Sequence, residues 1–457
     1  VSRADRSRLP DIGPDPQFRF PEIARHTFAN GLQVRTIEHA GVPVVTCVLQ
    51  VDGGSGADPS QREGVAAVVA DMIDEGTGSL SALDVSDALA RIGADYDVDV
   101  GADATVFSLT TVARLAPRGA SLLADLITRP SLRESDFTRV RQLRLDRLRQ
   151  LKDLPPAVAE RAFLRLLYGD HPYGHLAIGN DAALRDLTLD EVTDFHRRAF
   201  VPNRATLVVA GALTHDELRR IAEDAFGGWA RRDDGALPVA ADAPLPGRST
   251  ARLTIVPRDG AAQSELRIGH LAARRNTPDY PALLVMNAVL GGQFVSRINL
   301  KLREEKGFTY GARAGFDWRR GLAPYSVHAS VYTAATAEAI RDVHAEIADI
   351  GSTRPPSDPE LTFARASLTR GYPRNFETVQ QVARGVAQLA LYGLPDTYFQ
   401  QFVPNVNAVV AQDVVQAARR YLDASALTTL VVGDRSAIAD SIEALGLGPP
   451  DVLPVEV

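Results

Sequence analysis

The chain predicts an α+β fold built of two homologous halves, and three observations carry that prediction. Runs of β-branched residues alternate with segments of helical spacing along all 457 residues. Two segments half a chain apart share one pattern. A stretch rich in Pro, Ala, Asp and Gly lies between them.

The shared pattern is a helix, a short turn and an apolar strand closing on Gly, at 187–211 and again at 406–434. The strands begin at Leu207 and Leu430, an offset of 223 positions, which predicts an internal duplication. The intervening stretch, 231–250, breaks every period around it and reads as a linker. The predicted division is therefore an N-terminal domain at 1–230 and a C-terminal domain at 251–457.

Within the first half, 42–52 reads as a strand ending in a Gly turn, and 62–74 and 82–92 as helices. A hairpin follows at 98–112, then a long arginine-studded helix at 134–152. In the second half 264–270 is a predicted strand, 280–290 and 295–305 are helices, and 308–318 and 325–332 are strands. This order fits helices packed on one face of largely antiparallel sheets better than a doubly wound parallel sheet.

Composition narrows the function. A net charge of −7 argues against nucleic acid, whose phosphates demand a basic surface. Cys47 is the only cysteine, which rules out an internal disulfide and a cysteine-based zinc site, and its strand-like surroundings predict a buried small apolar residue. No stretch approaches the roughly 20 apolar residues of a membrane span. The first residue is Val and no charged and apolar leader precedes the fold, so a removed targeting segment and a trimmed chain are both open readings.

Two motifs stand out. The helix opening at Gly64 carries Ala67, Ala70 and Asp71 at i, i+3 and i+4, on one face. A catalytic zinc needs about three protein ligands, and two alanines offer none. Asp71, Asp74 and Glu75 without histidine suit zinc poorly, so no metal ligand is assigned to this chain. In the second half, R-E-E-K-G-F-T-Y runs from Arg303 to Tyr310. Arg303 ends a predicted helix, Gly307 breaks it, and Tyr310 begins a predicted strand. A guanidinium offers a fork for peptide carbonyls or a carboxylate, and a phenol can donate to a developing oxyanion. His171 and His175 are spaced as metal ligands are, but Pro172 and Gly174 between them disfavour a helix and predict a structural turn. His196 is expected at the core or its boundary. Gly53-Gly54-Ser55-Gly56 has neither dinucleotide nor hydrolase-elbow context and reads as a turn.

The frame Gly64, Ala66, Met72, Gly76 and Thr77 resembles that around the inverted zinc motif H-x-x-E-H of the pitrilysin, insulin-degrading enzyme and mitochondrial processing peptidase family. Ala67, Ala70 and Asp71 stand where that family has His, Glu and His, and aligning back from Pro155 puts Arg147 at the further Glu ligand. H-P-Y-G at 171–174, Gly179 and Pro202-Asn203 fit the same framework. Gly291-Gly292 is too short for the glycine-rich loop of the processing peptidase's non-catalytic subunit. The resemblance implies two homologous domains facing one another like a clamshell, each of two similar modules. It also gives Arg303 and Tyr310 the roles of catalytic and substrate-binding residues, since active relatives carry such a pair opposite the zinc. The implied function is the non-zinc subunit of a heterodimeric zinc metalloendopeptidase, inactive alone. Zinc is expected in a homologous partner chain, and the substrate is a peptide. The alternative is a non-catalytic scaffold or binding protein derived from such a peptidase. The bacterial relatives imply a periplasmic location, with a cytoplasmic one as the alternative.

Overall fold

The computed structural model describes residues 7, 13, 18–232, 237–245 and 253–454. The expected linker at 231–250 lies partly outside them. Of its described residues, Leu237 and Ala240 are buried, so this connection packs down where it is seen.

The first half holds β1 (Ala24–Thr27), β2 (Gln33–Glu38), β3 (Val44–Val51), a two-residue hairpin β4 (Gly76–Thr77) and β5 (Leu80–Ser81), then β6 (Asp95–Val100), β7 (Thr105–Val112) and β8 (Ala205–Gly211). The second holds β9 (Leu253–Pro257), β10 (Gln263–Ala273), β11 (Ala312–Phe316), β12 (Ala323–Tyr332), β13 (Thr428–Gly433) and β14 (Asp451–Val452). Each half builds one six-stranded sheet, in the orders β1-β2-β8-β3-β7-β6 and β14-β9-β13-β10-β12-β11. Five successive strands correspond one to one. Within these five, one parallel pairing (β2 with β8, β9 with β13) adjoins a run of antiparallel ones; the outermost strands differ, β1 lying antiparallel to β2 and β14 parallel to β9. Leu207 pairs with Leu49, and Leu430 with Arg267, so the two repeated strands flank the long central strand of their own sheet.

Most helices cover the sheet of their own half. Two cross over. The Val379–Leu391 helix lies on β3 and β8 of the first sheet, and the Pro155–Tyr168 helix lies on β10 and β13 of the second. Val382, Val386 and Leu389 of the first of these are fully buried, in a core shared with Val48 and Val208. Burial of this kind stabilises by roughly 1.5–3 kcal/mol per side chain. Polar ties follow the same route. Buried Arg267 reaches Glu160 (3.2 Å), Arg320 reaches Asp52 (2.8 Å) and the Leu391 carbonyl (2.8 Å), and the Tyr168 hydroxyl donates to the Leu322 carbonyl (2.7 Å). The halves are thus held as one body, because opening them would strip both exchanged helices.

Several local expectations shift. The hairpin begins at Asp95, three residues before the predicted 98. The first-half helix is Val65–Met72, shorter than 62–74 because Gly64 stands at φ +104° and sets its start. The strand expected at 308–318 is only Ala312–Phe316. Cys47 is buried in β3, as predicted.

Three half-buried histidines are neutral at pH 7: His196 beside the Ile127 carbonyl (2.8 Å), His328 beside Ser326 (2.8 Å) and His344 beside Thr429 (2.9 Å). Burial pushes each down to about 4. The unfolded chain takes up these protons near pH 6.5, before the folded one does. Stability should therefore be intact above pH 6.5 and fall as pH drops through that window towards 4, by up to about 1.4 kcal/mol per pH unit for each residue. Thermal melts across pH 4–7 check this; a flat profile would contradict it.

Candidate functional site

The Val65–Met72 helix is fixed at its start by a buried carboxylate. Asp58 accepts from the Gly64 and Ala66 amides (2.6 and 2.8 Å) and sits 3.0 Å from His175 Nε2. Burial raises the Asp58 carboxyl, and these three hydrogen bonds oppose the rise. A Cβ on Gly64 would come within 2.9 Å of the Gly179 backbone, so only glycine fits where the two segments cross. His175 is thus a second support for the helix start. His171 accepts from the Tyr173 amide (3.1 Å) and stacks on Tyr168, also a structural role.

Ala67 and Ala70 are buried, and Asp71 points to an arginine. That arginine is Arg144: its Nε donates to Asp71 (2.7 Å) and its Nη2 to the Ala67 carbonyl (2.9 Å). Arg147, which the alignment placed here, lies a turn further along the Glu134–Lys152 helix and, among the described residues, donates to Gln150 alone (3.3 Å). The cation at the degenerate site is therefore one turn from its predicted place. A guanidinium bridging the one remaining carboxylate and a helix carbonyl is incompatible with a divalent metal on the same face. Among the described residues no three His, Cys, Asp or Glu side chains cluster as metal ligands would. The residues present do not fit zinc.

The Arg303 segment is built from its flanks. The Tyr280–Leu290 helix stops at Gly291, where a Cβ would meet Ala314 Cβ at 2.5 Å as β11 crosses. Ser296 Oγ donates to the Gln293 carbonyl (2.5 Å), and Asn299 Oδ1 accepts from the Ala312 amide (2.8 Å). Buried Arg297 makes a two-pronged bond to Glu360 (2.6 and 2.8 Å) and donates to the Arg354 and Pro355 carbonyls (2.6 and 3.1 Å). That pairing holds the Glu360 carboxyl down to about 2. One α-helical turn, Arg297–Asn299, then widens into a π-helix at Leu300–Glu305, where an ordinary helix was expected. Such widened turns are uncommon and recur at functional sites. Gly307 at φ +64° ends it, and the Phe308 amide closes on the Leu302 carbonyl (2.8 Å).

Arg303 lies in the widened turn with its guanidinium carbon 3.4 Å above the Phe294 ring centre. Its Nε donates to Glu304 (2.7 Å), as does its Nη2. Tyr310 is in the loop, two residues before β11, and does not begin a strand. Thr309, bonded to Gly311 through both its hydroxyl and the Gly311 amide (2.9 and 3.1 Å), sets a tight turn there. Tyr310 stands 89% exposed, and its hydroxyl has no hydrogen-bond partner among the described residues. Among the described residues no hydrogen bond or ring contact joins Arg303 to Tyr310; both stand on the one connection from Leu300 to β11. A cavity of about 420 Å³ elsewhere, lined by Gln50, Glu160, Arg319 and Arg384 among others, includes neither residue. Sequence reasoning missed Phe294, Glu304 and Arg144. Glu304, adjacent to Arg303, was within its reach; the other two contacts form only in the fold.

Comparison with known proteins agrees with this architecture. Residues 33–180 match the family model described as Insulinase (Peptidase family M16), and 186–368 match Peptidase M16 inactive domain. An uncharacterized zinc protease of Mycobacterium tuberculosis is 28% identical over 354 residues, covering 76% of this chain and 78% of that protein. The mouse mitochondrial-processing peptidase subunit beta is 26% identical over 290 residues, covering 63% of this chain and 58% of that protein. In fold, the chain is similar to a peptidase M16 inactive domain from Pseudomonas fluorescens, at TM-score 0.83 and 22% identity, covering 90% of this chain and 98% of that one. A protease from Helicobacter pylori gives TM-score 0.83 at 19% identity, over 90% and 99%. With both family models spanning most of its length, the two-sheet chain with Ala67, Ala70 and Asp71 in place of a metal site belongs to the M16, or insulinase, family of peptidases.

Proposed function

We propose that this chain is the non-zinc subunit of a two-chain zinc metalloendopeptidase. One observation carries the reading. The face that would hold the metal is closed by Arg144 on Asp71, while Arg303, held by Glu304 and Phe294, and the exposed, unpartnered hydroxyl of Tyr310 stand on one connection in the second half. In this reading Arg303 donates to a carbonyl of a bound peptide and fixes its register. The Tyr310 hydroxyl donates to the oxygen that gains charge as the peptide carbonyl becomes tetrahedral, a role needing an unoccupied O–H. Metal chemistry belongs to a homologous partner bearing H-x-x-E-H. The single-body packing of the two halves supports the same reading, since a cleft that opens for peptide then forms between chains.

Affinity purification of the tagged chain from its native source tests the pairing. A similarly sized chain carrying H-x-x-E-H should copurify at one-to-one stoichiometry. Recovery in a large structural assembly without such a chain would replace this reading by the scaffold one.

A further inference from the structure

Arg303 is not a free cation. Its Nε and Nη2 both donate to Glu304 Oε1, the first at 2.7 Å, so the side edge of the guanidinium is taken. The Phe294 ring covers one flat face at 3.4 Å. Among the described residues, the two N–H groups of Nη1 and the second of Nη2 have no hydrogen-bond partner. The surroundings repeat the neutralisation. Lys301 pairs with Glu305 (2.6 Å), and Lys306 with Glu338 and Asp342 (2.5 and 2.8 Å). The three cations between 301 and 306 therefore face four carboxylates.

An arginine meant to capture a carboxylate keeps a two-donor edge and an excess of positive charge. This one has lost the excess charge, and Glu304 already fills its Nε/Nη2 edge, leaving only the end-on pair of donors. A neutral carbonyl needs only one or two donors and meets no repulsion from Glu304. We propose that Glu304 is a specificity-determining residue, which with Phe294 sets Arg303 to receive internal peptide carbonyls and to reject carboxylates, whether acidic side chains or free C-termini. This rests on the peptide-binding reading above and names the class of peptide it takes: internal, uncharged stretches. Glu304 acts by charge and by occupying the Nε/Nη2 edge, and Phe294 by holding the guanidinium plane.

The test uses the whole chain and two N-acetylated, fluorescein-labelled octapeptides of one sequence, ending in an amide or a free carboxylate, with binding read by anisotropy. The amide should bind about fivefold tighter, the repulsion expected of one like charge near a surface site. Glu304→Gln should bring the two within about twofold by strengthening the acid form, and Glu304→Ala should do the same. Phe294→Ala should weaken both, and Phe294→Tyr should restore them. Equal affinities in the wild type, or a ratio unmoved by both Glu304 variants, would overturn the proposal. Arg303→Ala separates it from the broader reading: if that change leaves the amide peptide's affinity untouched, the peptide does not use Arg303 and the subunit role fails first. A ratio that persists in Glu304→Gln while Arg303→Ala abolishes binding sinks the specificity claim alone.

Discussion

Replacing Tyr310 by phenylalanine should lower the kcat of the two-chain enzyme by about 10²–10³, the usual cost of one lost oxyanion donor. The change removes a single oxygen from a side chain that is 89% exposed and unpartnered among the described residues. Folding gives that hydroxyl nothing, so stability should not move, and any loss of rate reports on chemistry rather than structure. KM should change little, because the donor acts on charge that appears only in the transition state. Wild-type kcat from Tyr310→Phe in an active mixture would remove Tyr310 from the mechanism.

The second large effect lies away from the reacting atoms. Arg297→Ala should destabilise the protein by about 2–3 kcal/mol, since it removes the donors to two carbonyls and to Glu360, a carboxylate one-third exposed that keeps only its Ser357 bonds. Arg297 opens the turn that widens into the Arg303 segment, so peptide binding should weaken as well. The partner makes the effect depend on acid. Because the Glu360 carboxyl is held at about 2, below its unfolded value, the pairing contributes fully above the ordinary carboxylate range and is lost as pH falls towards 2. Urea midpoints at pH 7 measure the loss; a change below about 1 kcal/mol would show that the pair carries little.

The fold was legible where sequence period and duplication speak directly. The offset between Leu207 and Leu430 marks two strands that hold matching places in matching sheets. The exchange of the Pro155–Tyr168 and Val379–Leu391 helices was not legible, because amphipathic spacing shows that a face is buried but not against which sheet. At the site, Ala67 and Ala70 alone announce the missing ligands. The arginine that closes the site was placed one turn away, since the alignment fixed Arg147 from Pro155 while the packing of two helices selects Arg144. Arg303 and Tyr310 took their roles from the resemblance to the peptidase family, since an Arg and a Tyr about a Gly turn are ordinary surface residues by themselves. Their settings were hidden: the π-turn, the Phe294 platform and the loop position of Tyr310 arise from contacts such as Asn299 with Ala312 and Arg297 with Glu360.

The central claim is that this chain supplies peptide binding and oxyanion stabilisation while another supplies the metal. Cleavage of a fluorogenic peptide should be measured for this chain alone, for a candidate H-x-x-E-H partner alone, and for the two mixed, each with and without chelator. Chelator-sensitive cleavage is expected in the mixture, with near-background rates from either chain by itself. Stoichiometric zinc and chelator-sensitive proteolysis in this chain alone would contradict it.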